Sequence, residues 1–198
     1  KIEGNGRKNP AQDAEWYEKV FSNRTEVLRM PSEFVFKSFD RWEWERGSLG
    51  ERWHAIRINK QLNYLQLNRC RITNLDFLNP NHSSWLVSYP NLIVLDLSNN
   101  YIKSFYSPED VNDHFEDGEI CKQMPNLISL NLSQNPLVSL PRTGFKYLKR
   151  LESLDISWTK ISALPNNIGI LKKLSKINLI GASYGFHIPP SAKKLTKI

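Results

Sequence analysis

Two similar stretches decide the fold: residues 127–141, L-I-S-L-N-L-S-Q-N-P-L-V-S-L-P, and residues 151–165, L-E-S-L-D-I-S-W-T-K-I-S-A-L-P. Their aliphatic residues and closing prolines coincide when one stretch is shifted by 24 residues. Self-similarity at one fixed offset is typical of repeat architectures, in which each unit buries its apolar face against its neighbours. The two stretches therefore predict a solenoid built from stacked repeats.

The same pattern occurs three more times, at residues 62–75, 92–105 and 174–184, which gives repeat starts at 62, 92, 127, 151 and 174. This pattern resembles that of the leucine-rich-repeat family, L-x-x-L-x-L-x-x-N/C-x-L. The resemblance implies an α/β horseshoe of about five repeats with a parallel β-sheet on its concave face. The stretch L-P-N-N-I-G-I-L-K-K-L at 164–174 resembles the intracellular class of the family, whose repeats read LPxxIxxL.

The repeats predict a domain over residues 61–198. The first two spacings between repeat starts are longer than the last two, so residues 79–90 and 106–125 read as insertions on the convex side or the rim. Leu195 and Ile198 reproduce the opening of a truncated sixth repeat. We therefore expect the remainder of a longer chain, or another subunit, to cover the C-terminal repeat.

Residues 1–60 predict an N-terminal capping segment, because a solenoid exposes the apolar face of its end layer. Asn9-Pro10 is typical of a helix start and favours a helix over about 10–22. The aromatic-rich segment that follows, with six Phe and Trp residues between 34 and 53, fits either a hairpin or a further helix packed on the first repeat.

Alternation along each short strand places the leucines in the core and the residues between them on the concave face. The inward asparagines Asn100 and Asn135 are expected to bond the backbone of neighbouring turns, whereas Thr159 and Ala182 stand at that position later, so this ladder weakens toward the C-terminus. The partner-binding residues predicted on the concave face are Tyr64, Gln66, Asn68, Asp96, Ser98, Asn131, Asp155, Ser157, Trp158, Lys176 and Asn178.

Trp158 departs from the small polar residues that fill this face. Tryptophan is over-represented among the residues that dominate binding energies, so Trp158 is a candidate anchor for a partner. The alternative is that its ring folds against the neighbouring turn.

No catalytic, cofactor-binding or metal-binding residues are predicted. G-A-S-Y-G at 181–185 has the spacing of a hydrolase nucleophile turn, but Pro189 and Pro190 oppose the helix that should follow, and no Asp or Glu follows Ser183. The two cysteines, Cys70 and Cys121, do not indicate a disulfide framework, which favours an intracellular location in the cytoplasm or nucleus over an extracellular one.

The sequence therefore predicts a non-catalytic protein–protein interaction module, an adaptor, scaffold or targeting domain with a protein partner. Two alternatives remain open. Residues 142–198 carry 11 basic and 2 acidic side chains, which would suit nucleic acid or an acidic partner. The chain would also suit a fragment of an extracellular receptor with the same repeats. No apolar run has the length of about 18 residues that a membrane span needs.

Overall fold

The computed structural model describes residues 61–75, 88–105 and 118–195, together with the backbone of residues 2–3 and 27–29. The helix predicted over about 10–22, the aromatic-rich segment, residues 79–87 and 106–117 of the two insertions, and residues 196–198 lie outside these ranges. The prediction of a capping segment over 1–60 therefore stays a prediction.

The described strands form one parallel sheet in which the order along the sheet follows the order along the chain. Five strands come from the five predicted repeats. They are β3 (Tyr64–Gln66), β4 (Val94–Asp96), β5 (Ser129–Asn131), β6 (Ser153–Asp155) and β7 (Lys176–Asn178). Two further strands, β1 (Ile2–Glu3) and β2 (Val27–Arg29), extend the sheet past β3. The sheet thus continues beyond the boundary at residue 61, where the sequence placed the first repeat.

Register in the sheet follows the repeat pattern. Leu65 pairs with Leu95, Leu95 with Leu130, Leu130 with Leu154, and Leu154 with Ile177. The four leucines are buried, and together with the flanking aliphatic residues of each repeat they form one continuous core. Burying a leucine side chain stabilises the fold by roughly 1.5–3 kcal/mol, so repeated inward leucines fix both the register and the stacking of the repeats.

Short helices form the convex side of the solenoid. They are the α-helix α1 (Glu119–Lys122) and three 3₁₀ helices, Gly144–Tyr147, Ile168–Ile170 and Pro190–Lys194. The buried pairs Phe145 with Leu148 and Ile168 with Leu171 are each three residues apart, which matches the three residues per turn of a 3₁₀ helix. The three-residue spacing of these buried apolar side chains after each Leu-Pro therefore favours a 3₁₀ turn.

The described end of the second insertion, residues 118–125, lies on this convex side. Ile120 and Cys121 of α1 are buried, and α1 packs against the 3₁₀ helix that begins at Gly144. A Cβ atom at Gly144 would lie 2.7 Å from the Cys121 Sγ atom. Glycine therefore permits the two helices to approach this closely.

Buried amides connect successive turns, as the sequence indicated. Asn100 forms five hydrogen bonds to backbone groups of its own repeat and the preceding one. Asn135 forms four in the same manner. Thr159 donates only to the Ile156 carbonyl oxygen, at 2.8 Å, and Ala182 has no polar side chain. The ladder therefore weakens along the chain.

Candidate partner-binding surface

The concave face presents two rows of side chains that cross the sheet in register. Gln66, Asp96, Asn131, Asp155 and Asn178 form the row at the carboxyl ends of the strands. The other row includes two predicted residues, half-buried Tyr64 and exposed Lys176. All five side chains of the first row are half-buried, and so are Asn68 and Ser98 just beyond the strands. The structure thus brings the predicted residues together on one surface.

Four residues of the first row also hold the turn that follows their strand. Each accepts a hydrogen bond from the backbone N–H two residues later, at 2.9–3.2 Å, which is the local bond that Asp and Asn side chains form in turns. The four acceptors are Asp96, Asn131, Asp155 and Asn178. These acids and amides therefore have a structural role as well as a place on the surface.

Asp155 has the most partners in this row. Its Oδ1 atom accepts from the Ser157 backbone N–H and from the Ser157 hydroxyl, at 2.9 and 2.7 Å, and its Oδ2 atom accepts from the Asn178 amide at 3.0 Å. Ser157 itself is only 5% exposed. Asp155 and Ser157 thus orient the turn before Trp158, and Ser157 offers little area to a partner.

The residue after each turn adopts a left-handed backbone conformation in all five repeats, with φ between 55° and 75°. These residues are Arg69, Asn99, Gln134, Trp158 and Gly181. Left-handed geometry suits Gly and Asn and is unfavourable for bulky side chains. Trp158 is the bulkiest of the five, so its position carries a backbone strain that the equivalent Gly181 does not.

The two interpretations of Trp158 describe different faces of one ring. The indole lies over Gly181 of the next repeat, since a Cβ atom at Gly181 would approach the Trp158 Cε3 atom to 2.6 Å. The side chain is nevertheless 62% exposed. One face of the indole is supported by the neighbouring turn and the other is available to a partner.

Beside Trp158 lies an open groove of about 760 Å³. It runs along the edge where the strands end, which we name the carboxyl rim: residues 68–75, 98–105, 133–141 and 157–165. Tyr101, Pro136 and Lys160 line the groove with Trp158. Sequence reasoning missed these three residues, although all of them occupy the same stretch just after the Asn position of their repeats.

Basic residues of the C-terminal third occupy several parts of the solenoid. Lys149, Arg150, Lys172 and Lys173 immediately precede the first leucines of two repeats, and all four are exposed. We name this edge, at the start of the strands, the amino rim. Lys160 lies on the carboxyl rim instead. The positive charge predicted to attract an acidic partner is therefore divided between the two edges of the sheet.

The cysteines are free thiols within the core. Burial away from water, with a smaller contribution from the nearby Asp96 carboxylate, raises the pKa of Cys70 to about 12. Within the described ranges, no group of three or more His, Cys, Asp or Glu side chains is placed to hold a metal ion. In the same part of the chain, no helix is long and apolar enough to cross a membrane.

Two family models, both described as leucine-rich repeat, match residues 118–181 and 91–113. A "probable disease resistance protein" of Arabidopsis thaliana is 40% identical over 62 residues, which are 31% of this chain and 6% of that protein.

Among solved structures, the ectodomain of the Arabidopsis receptor kinase HAESA with an extended IDA peptide hormone is similar, with a TM-score of 0.53 and 21% identity over 74% of this chain and 22% of the other. HAESA with the peptide hormone IDA and the co-receptor SERK1 gives a TM-score of 0.51 and 22% identity, over 73% and 22%. The chain thus spans a small part of the proteins that it matches.

Proposed function

Because this chain is a leucine-rich-repeat protein, we propose that it is a non-catalytic protein-interaction module, acting as an adaptor, scaffold or targeting domain. The observation that carries the proposal is the concave face, where five successive strands present partly exposed side chains in register over a leucine core. A rigid surface of this kind binds without losing much conformational freedom, which favours affinity.

The similar HAESA structures support the proposal, because those ectodomains are complexed with a peptide hormone and, in one case, a co-receptor. The proposed contact surface of the present chain is the concave face together with the carboxyl rim. Its central residues are Asn131, Asp155 and Trp158, with Tyr64 and Gln66 at one side of the sheet and Lys176 at the other.

The proposed location is the cytoplasm or nucleus, on the basis of the LPxxIxxL pattern and the two free thiols. The extracellular alternative predicts N-linked glycans at Asn23 or Asn81, which both stand in the acceptor pattern. The intact mass of the protein from its native source tests this. An unmodified mass supports the intracellular proposal, and a mass raised by glycans contradicts it.

Affinity purification from native lysate, at low and high salt with mass spectrometry of the bound material, tests the function. Ser153→Arg places a long cation in the centre of the concave face, where Ser153 is half-buried. Ile170→Arg is the matched control, because it adds the same side chain at an exposed position on the convex side. Circular dichroism confirms that both variants fold.

We expect the wild-type chain and Ile170→Arg to retain one defined protein partner at high salt, and Ser153→Arg to lose it. Retention of that partner by Ser153→Arg would show that the concave face is not the contact surface. Recovery of nucleic acid alone, lost at high salt, would instead support binding through the basic residues, because phosphate contacts weaken steeply with salt.

A further inference from the structure

The carboxyl rim groove combines exposed aromatic walls with amides between them. Trp158 is 62% exposed and Tyr101 is 56% exposed. Asn99 and Gln134 lie between the two rings, and the Asn99 amide donates to the Gln134 amide oxygen at 2.8 Å. Each amide group still has donor or acceptor capacity after this bond, which suits pairing with the main chain of a bound peptide.

The charge of this edge is one-sided. Arg69, Arg71, Lys103 and Lys160 are all exposed, and no Asp or Glu occurs in residues 68–75, 98–105, 133–141 or 157–165. Asp76 directly follows the first of these stretches in sequence. Asp96 and Asp155, two residues before two of the other stretches, end the strands and accept hydrogen bonds from the turns. The rim therefore favours an anionic ligand.

The spacing of the two rings limits the conformation of that ligand. Tyr101 follows β4 and Trp158 follows β6, so the turns that carry the two rings are two strand spacings, or about 10 Å, apart along the sheet. In a polyproline II chain, side chains three residues apart project from the same side and are separated by about 9 Å. Grooves lined by aromatic rings are the usual docking sites for such chains, which lose little entropy on binding.

We propose that the carboxyl rim binds an acidic peptide segment in an extended, polyproline II conformation, with two apolar side chains three residues apart against Tyr101 and Trp158. Lys160 and Lys103 pair with the acidic side chains, and the Asn99 and Gln134 amides contact the peptide backbone. This inference rests on the proposed function, because it treats the chain as a protein-interaction module and names the ligand class of one part of its surface.

The test is fluorescence anisotropy of the purified full chain with the labelled peptide Glu-Asp-Phe-Pro-Pro-Leu-Asp-Glu. Saturable binding is expected. Trp158→Asn should weaken it by at least about tenfold, because it removes the aromatic wall. Asparagine tolerates the left-handed turn, as Asn99 does in its own repeat, so the fold is retained.

Charge is tested with a matched pair of variants. Lys160→Glu should weaken binding by about fivefold, whereas Lys172→Glu, the same change on the amino rim, should stay within about twofold of wild type. A peptide with Lys in place of every acid, and a peptide with only one Pro between Phe and Leu, should both bind at least about fivefold more weakly.

Equal losses in Lys160→Glu and Lys172→Glu would overturn the proposal, because they would show attraction by net charge alone. No binding of the acidic peptide, or unchanged binding by Trp158→Asn, would overturn it as well. Ser153→Arg is expected to bind the peptide normally. Failure of the concave-face proposal and failure of the rim proposal are therefore seen in different measurements.

Discussion

The buried amide ladder predicts a graded loss of stability when its members are removed one at a time. Asn100→Ala removes five hydrogen bonds. Two of its acceptors keep another partner, since the Leu97 carbonyl still receives the Asn135 amide and the Ser98 carbonyl still receives the Arg69 N–H.

Three buried backbone groups then have no partner among the described residues: the Leu67 carbonyl and the N–H groups of Cys70 and Ile72. An unsatisfied buried group costs about 1–3 kcal/mol. We therefore expect Asn100→Ala to lower the free energy of unfolding by about 3 kcal/mol or more, a large part of the roughly 5–15 kcal/mol that domains usually possess.

Counting unsatisfied buried groups in the same way gives smaller losses of unfolding free energy for the later repeats. Asn135→Ala leaves two groups without a partner among the described residues, the Leu132 carbonyl and the Ile102 N–H, so a loss of about 2 kcal/mol or more is expected. Thr159→Val leaves one such group, the Ile156 carbonyl, so a loss of about 1 kcal/mol or more is expected.

Urea unfolding followed by circular dichroism measures the series, with Asn68→Ala as the control. Asn68 is half-buried on the concave side, and its loss should change stability by less than about 0.5 kcal/mol. Comparable losses for all three ladder positions, or a loss at Asn68 as large as at Asn100, would refute the count of unsatisfied groups as the source of the effect.

Other predictions concern the thiols and the turn glycines. In the unfolded chain the Cys70 thiol ionises near its ordinary pKa of 9.0, whereas burial raises the pKa in the native state to about 12. The native state thus retains a proton that the unfolded state releases between pH 9 and 12. The free energy of unfolding should therefore fall across this window by up to about 1.4 kcal/mol per pH unit. Urea titrations at several pH values should show a less steep fall for Cys70→Ala. Cys70 and Cys121 are buried, so a maleimide should label neither in native buffer and both in urea, and rapid native labelling would contradict their burial. Gly181→Ala and Gly185→Ala both place a side chain at positive φ, but only the first side chain meets the Trp158 indole. We therefore expect the lower melting temperature for Gly181→Ala. Equal melting temperatures would show that the indole does not rest on this turn.

The repeat pattern made the solenoid predictable, because one periodic requirement governs most of its core. The inward leucine of each strand packs beside the leucine of the next repeat, so the positions of Leu95, Leu130 and Leu154 in the sequence predict the register of the strands. The ladder of Asn100 and Asn135 followed from the same pattern. Strands β1 and β2 were not predicted, because the stretches that form them lack the full repeat signature.

The site was predicted less well, since the features that shape it are not periodic. The role of Asp96 and Asp155 in the turns could have been inferred from a recurring signal, an acid or amide followed two residues later by serine, because that spacing suits a side-chain to backbone bond. The rim groove could not have been inferred from a recurring signal. It depends on Tyr101 and Trp158 projecting from turns two repeats apart, and nothing in either repeat alone indicates that they share a surface.

The decline of the amide ladder also has a consequence for how the array opens. In stacked repeats each unit is held by its own stability and by the interface with its neighbours, so local opening starts where those interfaces are weakest. Asn100 joins its turn to the previous one with several bonds, whereas Thr159, at the same position of the repeat that carries Trp158, bonds only the Ile156 carbonyl of its own turn. Backbone amides around Trp158 should therefore exchange with solvent faster than those around Asn100. The groove of the carboxyl rim then has a more stable wall at Tyr101 and a less stable wall at Trp158.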